Sequence, residues 1–180
     1  MKTYIVGAGA VGTYVGDLLQ SANIEVSYAP RDPEDVTPVD ADVVIVAVKA
    51  YDTDAAIATL QKAIPYPEKC VFVSPQNGVG NEEKLAAAFG ADNVVAAALT
   101  TPVDRTGENG RGRAARSARQ GGVAFAPMGA NAYNWLSAAF ASTGLKVQTV
   151  GDWPRPVGTG QCVSGKRWPC RTRSGDNASW

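Results

Sequence analysis

Gly7, Gly9 and Gly12 stand in the spacing G-x-G-x-x-G, between a short β-rich run, Lys2 to Val6, and a stripe of Val11, Val15, Leu18 and Leu19 at helical spacing. Glycine triplets arise by chance, but between a strand and a helix each one has a physical task. Gly7 permits a tight turn, Gly9 lets the backbone approach a pyrophosphate, and Gly12 allows the helix to pack closely on the strand. The N-terminus of that helix offers free N–H groups and a partial positive charge. Gly7, Ala8, Gly9, Ala10, Val11 and Gly12 therefore form the expected phosphate cradle of a dinucleotide site. The choice of dinucleotide is read about 20 residues further on, at the end of the second strand. There the chain runs Tyr28-Ala29-Pro30-Arg31. The planar donor fork of Arg31 suits the 2′-phosphate of NADP(H). Asp32, next to it, is the competing feature, because a carboxylate there would bond the 2′-hydroxyl of NAD.

Two further residues belong to the same edge. Lys49 follows the continuous apolar run Val43–Val48, and Asn77 lies in the corresponding loop after the next strand. A lysine there meets phosphate or a substrate carboxylate, and an asparagine amide bonds ribose and substrate. The plainer alternatives are a surface charge at a helix start for Lys49 and a turn residue before Gly78 for Asn77.

Absences narrow the chemistry. The chain contains no histidine, which excludes Ser-His-Asp and Cys-His hydrolysis and histidine-ligated metals. Proton transfer would need Lys, a carboxylate, Tyr or Cys. Cys70, Cys162 and Cys170 are an odd and widely spread set, giving neither a disulfide framework nor a zinc pattern. They read as incidental thiols of a reducing cytoplasm, and no metal site is expected. Lys plus Arg number 17, as do Asp plus Glu, so net charge gives no reason to expect nucleic acid. No apolar run approaches the ~18–20 residues of a membrane span, and the glycine-interrupted N-terminus is not a secretory signal. No residue pattern specifies an oligomeric state.

The elements that must hold these residues follow from periodicity. Strands are expected at Lys2–Val6, Ile24–Tyr28, Val43–Val48, Cys70–Ser74 and Val94–Thr100. Helices are expected at Val11–Ala22, Asp52–Ile64, with Asp52 or Thr53 as its cap, and Asn81–Phe89, ended by Gly90. Alternation of this kind specifies a Rossmann-type α/β fold, a doubly wound and mainly parallel sheet whose ligands bind along one edge. Residues 103–120, Arg-, Gly- and polar-rich, are expected to be a loop. Beyond it come a strand at Gly122–Pro127, a helix at Asn134–Ser142 and a strand at Val147–Val150. Only a short link joins Arg31 to Val43, which leaves the sheet a strand short. Residues 1–153 thus read as an NADP(H)-binding domain. Residues 154–180 contain no Leu, Ile, Met, Phe or Tyr and read as an irregular C-terminal tail, disordered or foreign to the native fold. So sudden a change at Trp153 is what a shift of reading frame would produce.

These residues resemble the ketopantoate reductase (2-dehydropantoate 2-reductase) family. The resemblance rests on Ile5-Val-Gly-Ala-Gly-Ala-Val-Gly12, Arg31, Val46-Ala-Val-Lys-Ala-Tyr-Asp52, Gln76-Asn-Gly-Val-Gly-Asn-Glu-Glu83, the Thr100-Thr101 pair and the Gly-Gly-Val-Ala strand at Gly121. It covers residues 1–153. It implies NADPH-dependent reduction of a small 2-keto acid, 2-dehydropantoate, to pantoate in pantothenate biosynthesis. The Gly7–Gly12 segment and Arg31 would bind NADPH, with Lys49 and Asn77 near both cofactor and substrate. The family's proton-donating lysine, substrate-binding asparagines and a glutamate lie on an all-helical C-terminal domain. That domain has no counterpart here, so no catalytic residue is assigned within this chain. Two alternatives remain open. One is a non-catalytic NADP(H)-binding module or remnant. The other is another 2-keto or 2-hydroxy acid oxidoreductase of the same fold.

Overall fold

A computed structural model describes residues 1–106, 111–114, 121–128 and 134–149. The proposed tail, 154–180, lies outside them. Along the chain the strands are β1 (Lys2–Val6), β2 (Glu25–Tyr28), β3 (Val43–Val46), β4 (Val71–Ser74), β5 (Val94–Leu99), β6 (Val103–Thr106), β7 (Arg111–Ala114), β8 (Gly122–Pro127) and β9 (Lys146–Thr149). The helices are α1 (Ala10–Ser21), α2 (Thr53–Ala63), α3 (Asn81–Phe89) and α4 (Asn134–Ala141). Seven strands form one sheet in the order β2-β1-β3-β4-β5-β8-β9. All neighbours are parallel except β5 and β8. This is the mostly parallel Rossmann-like α/β architecture expected from the alternation.

The period of two along each strand separates the core into two layers. Tyr4, Val6, Val44, Val46 and Phe72 point to one face, where Ala56, Leu60 and Ala63 of α2 and Leu85 and Phe89 of α3 cover them. Ile5, Val43, Ile45, Val73 and Phe125 point to the other, under Val15 and Leu19 of α1 and Leu136 and Phe140 of α4. Val43–Val46 is buried at every position, because a strand with helices on both faces must be apolar throughout.

The structure corrects the sequence reading in three places. The run Val43–Val48 pairs only as far as Val46, and the chain then leaves the sheet. Helix α2 takes no side-chain cap from Asp52, and the Thr53 hydroxyl is engaged elsewhere, as described below. As expected of so short a link, Arg31 to Val43 adds no strand: it holds only a 3₁₀ turn, Pro33–Asp35, and β2 is the sheet's edge. Finally, within 103–120, β6 and β7 pair antiparallel in a two-stranded sheet of their own. Polar composition concealed this hairpin; Val103 packs on the core layer beneath α1 and α4, and the pair lies against α1. Tertiary contact overrides local propensity there.

Cys70 sits where the link returns to the sheet, its Sγ donating to the Ala41 carbonyl at 2.9 Å. Burial, with the nearby carboxylates of Asp42, Asp40 and Glu68, pushes its thiol up from 9.0 to about 11. The thiolate, which is the reacting species, is therefore about 100-fold rarer than in an ordinary thiol. In a Cys162→Ser/Cys170→Ser chain we expect a thiol-specific reagent to label Cys70 only on unfolding. Rapid labelling of the folded chain at pH 8 would contradict this. Since the thiolate is disfavoured only in the folded state, the site's contribution is complete below pH 9 and is lost as pH rises toward 11.

Candidate functional site

The carboxyl ends of β1 to β5 all open on one edge of the sheet, because these five strands are parallel. Strand β1 is followed in sequence by its neighbour on one side, β2, while the next strand, β3, lies on its other side. This reversal is the switch point at which open α/β sheets leave a crevice.

The three glycines meet three different demands there. Gly7 has φ +103°, and a Cβ on it would stand 2.7 Å from the Ala47 carbonyl carbon after β3. Gly12 is buried, and a Cβ on it would fall on the Gly7 carbonyl oxygen. Gly9 has the opposite surroundings: no atom lies within 4 Å of the position its Cβ would take. It is also the N-cap of α1, with no side-chain cap and no acidic residue in the first turn. Thr13 closes the turn through its N–H and hydroxyl, both on the Gly9 carbonyl at 3.0 and 2.7 Å. The open space over Gly9, beside the uncapped positive end of a helix, fits a pyrophosphate. Ala8 is exposed, and Ala10 and Val11 are half-buried along the same turn.

The other expected residues fall in order along the edge. Arg31 is exposed beyond β2, and Asp32 beside it caps the 3₁₀ turn, accepting the Glu34 N–H at 3.0 Å. Lys49 and Asn77 are exposed beyond β3 and β4. Their loops are neighbours, since a Cβ on Gly78 would come within 3.5 Å of Ala50 Cβ. Beyond β5, the Thr101 hydroxyl accepts the Gly122 N–H at 3.0 Å, bringing together the Thr-Thr pair and the Gly-Gly strand noted in the sequence. Among the described residues no His, Cys, Asp and Glu group could hold a metal. No helix among them is long and apolar enough to cross a membrane.

A buried polar chain underneath this edge was not foreseen. Gln76 Nε2 donates to Thr53 Oγ1 at 2.9 Å and to the Val48 carbonyl at 3.2 Å. The Thr53 hydroxyl donates to Asn81 Oδ1 at 3.1 Å, and Asn81 Nδ2 returns to the Asn77 carbonyl. Ser74 donates to Glu82 Oε1 at 2.9 Å, with Gln76 Oε1 3.3 Å away. Glu82 is fully buried, a position carboxylates almost never take unpaired. The run Gln76-Asn-Gly-Val-Gly-Asn-Glu-Glu83 held this signal as a cluster of polar residues flanking a turn, but nothing in it identified Thr53 as the partner.

Residues 29–129, more than half of the chain, match the family model described as "Ketopantoate reductase PanE/ApbA". The chain belongs to the ketopantoate reductase family. A 2-dehydropantoate 2-reductase of Archaeoglobus fulgidus is 36% identical over a stretch covering 47% of this chain and 35% of that protein. The crystal structure of the 2-dehydropantoate 2-reductase of Geobacter metallireducens superposes with a TM-score of 0.70 at 24% identity, over 83% of this chain and 58% of that one. A D-mandelate dehydrogenase solved with NADH has the same fold, with a TM-score of 0.68 at 19% identity over 83% of this chain and 55% of that one. The ketopantoate reductase chain described here thus spans about a third to three-fifths of the length of these relatives.

Proposed function

We propose that residues 1–153 are the NADP(H)-binding domain of a cytoplasmic 2-dehydropantoate 2-reductase acting on a small 2-keto acid. The observation that carries this is the contrast among the glycines. Gly7 and Gly12 have no room for a side chain, whereas Gly9 faces open space above an uncapped helix N-terminus. Gly80 and Gly144 also face open space, but their positive φ calls for glycine, whereas Gly9 at φ −79° has no such backbone need.

The bound nicotinamide supplies the hydride for reduction of the ketone. The chain's own residues bind and orient. The α1 N-terminus and the turn at Gly9 hold the pyrophosphate, and Arg31 holds the 2′-phosphate. Lys49 and Asn77 stand further along the edge, toward nicotinamide and substrate. NADP(H) is favoured over NAD(H) because the Asp32 carboxylate already accepts the Glu34 N–H, while Arg31 is exposed and makes no ion pair among the described residues. The competing reading is a 2-hydroxy acid dehydrogenase that uses NADH, and the fold shared with D-mandelate dehydrogenase favours it.

A fluorescence titration of the chain with NADPH and NADH separates the two. We expect saturable NADPH binding that is tighter than NADH binding. Loss of one charged contact to phosphate, by Arg31→Ala, should weaken NADPH about 10-fold or more and leave NADH unchanged. Equal affinities for the two cofactors, both indifferent to Arg31→Ala, would overturn the NADP reading in favour of the second.

A further inference from the structure

We propose that Gln76 and Thr53 are positioning residues, a buried clasp that sets the separation of Lys49 and Asn77 across the crevice. The proposal rests on the cofactor reading above. Strands β3 and β4 are held together by ladder bonds as far as Ile45 and Val73. Past the strand ends the ladder stops, although the two loops remain neighbours. Among the described residues the loops 47–52 and 75–80 share no backbone hydrogen bond. Some other interaction must hold them in register if side chains from both are to meet one ligand.

Gln76 supplies it. Its single Nε2 reaches the Val48 carbonyl, one residue before Lys49, and Thr53 Oγ1 at the start of α2. Gln76 itself immediately precedes Asn77. Asn81 extends the clasp, accepting from Thr53 and donating to the Asn77 carbonyl. Both ends of each loop are thus bonded into one buried chain, while Lys49 and Asn77 remain exposed. Thr53, Gln76 and Asn81 are each at most 3% exposed, so water cannot easily substitute for a lost partner. A buried polar chain of this kind is expensive unless fully satisfied, and apolar side chains would fill the same space. Its one distinctive product is a fixed geometry at the crevice, and a misplacement of about 1 Å there is enough to cost binding or rate heavily.

The test uses the whole chain and compares Thr53→Val, which keeps the shape and removes the hydroxyl, with Thr53→Ser, which keeps the hydroxyl. The first readout is backbone ¹⁵N order parameters. In Thr53→Val we expect values for residues 48–52 and 76–80 to fall from the rigid range near ~0.85 toward ~0.6. Thr53→Ser should retain wild-type values. The second readout is NADPH affinity. Thr53→Val should weaken it about 10-fold, and the same substitution in a Lys49→Ala/Asn77→Ala background should produce little further loss, because the clasp acts through those two side chains. A merely structural role would give additive losses and no rescue by serine. Unchanged order parameters in both loops, or a loss confined to α2, overturns the clasp. If the wild-type chain binds neither NADPH nor NADH, the cofactor reading fails, and the order parameters alone decide for or against the clasp.

Discussion

Gly12→Ala is expected to destabilise the fold by about 3 kcal/mol and to reduce NADPH affinity by at least about 100-fold. The added methyl would fall on the Gly7 carbonyl oxygen and lie 3.3 Å from Ala47 Cβ. Both obstacles belong to backbone or to a side chain with no rotamers, so nothing can swing aside. Helix α1 would have to withdraw from β1, taking with it the N–H groups proposed to hold the phosphate. Gly9→Ala isolates the second effect from the first. Its φ of −79° suits any L-residue, and nothing lies near the new methyl. Stability should stay within about 0.5 kcal/mol of wild type, while the methyl occupies the space into which the pyrophosphate would fit. Urea unfolding and cofactor titration on both variants check the pair. If Gly9→Ala bound NADPH as well as wild type, the phosphate would not sit on that turn.

Phe72→Ala should have the largest effect on stability, about 4 kcal/mol, or roughly 12 °C in Tm. Phe72 is fully buried in the middle of β4, and its ring stacks on Phe89 of α3 at 4.2 Å between centroids, 5° from parallel. Removal of the ring opens a cavity between sheet and helix and strands Phe89 without its partner. The main chain of β4, held on both sides by β3 and β5, cannot collapse to fill the gap. Phe72→Leu should recover about half of the loss. The check is the urea midpoint, which should fall without a change in slope. A loss under about 1.5 kcal/mol would mean that α3 re-packs freely, and that the β4–α3 layer is far less rigid than its stacking implies. Because Ser74 ends this strand and Gln76 follows it, Phe72 also underlies the Asn77 loop.

Much of this was legible in the residues because the determinants are local. A positive φ at Gly7 and a helix crossing at Gly12 are backbone demands met within one turn, and they leave glycine at fixed spacing. An all-apolar Val43–Val46 reports burial on two faces without reference to any partner. The alternation of strands and helices then placed Arg31, Lys49 and Asn77 on a common edge, since parallel strands end on the same side.

What the residues could not show is who meets whom across the chain. Thr53 looked like a helix cap, yet its hydroxyl bonds Asn81, 28 residues away. Asp32 stood beside Arg31 as a competitor for the ribose, and only the structure showed its carboxylate accepting the Glu34 N–H of the 3₁₀ turn. The β6–β7 hairpin was concealed because its strands are polar and are stabilised by each other and by α1, not by their own periodicity. Sequence alone therefore determined the fold class and the common edge on which the candidate residues lie, through sterics and hydrophobic period, both of which act over a few residues. Only the tertiary structure decided which polar groups pair beneath that edge, because a hydrogen bond selects its partner by proximity in the folded chain.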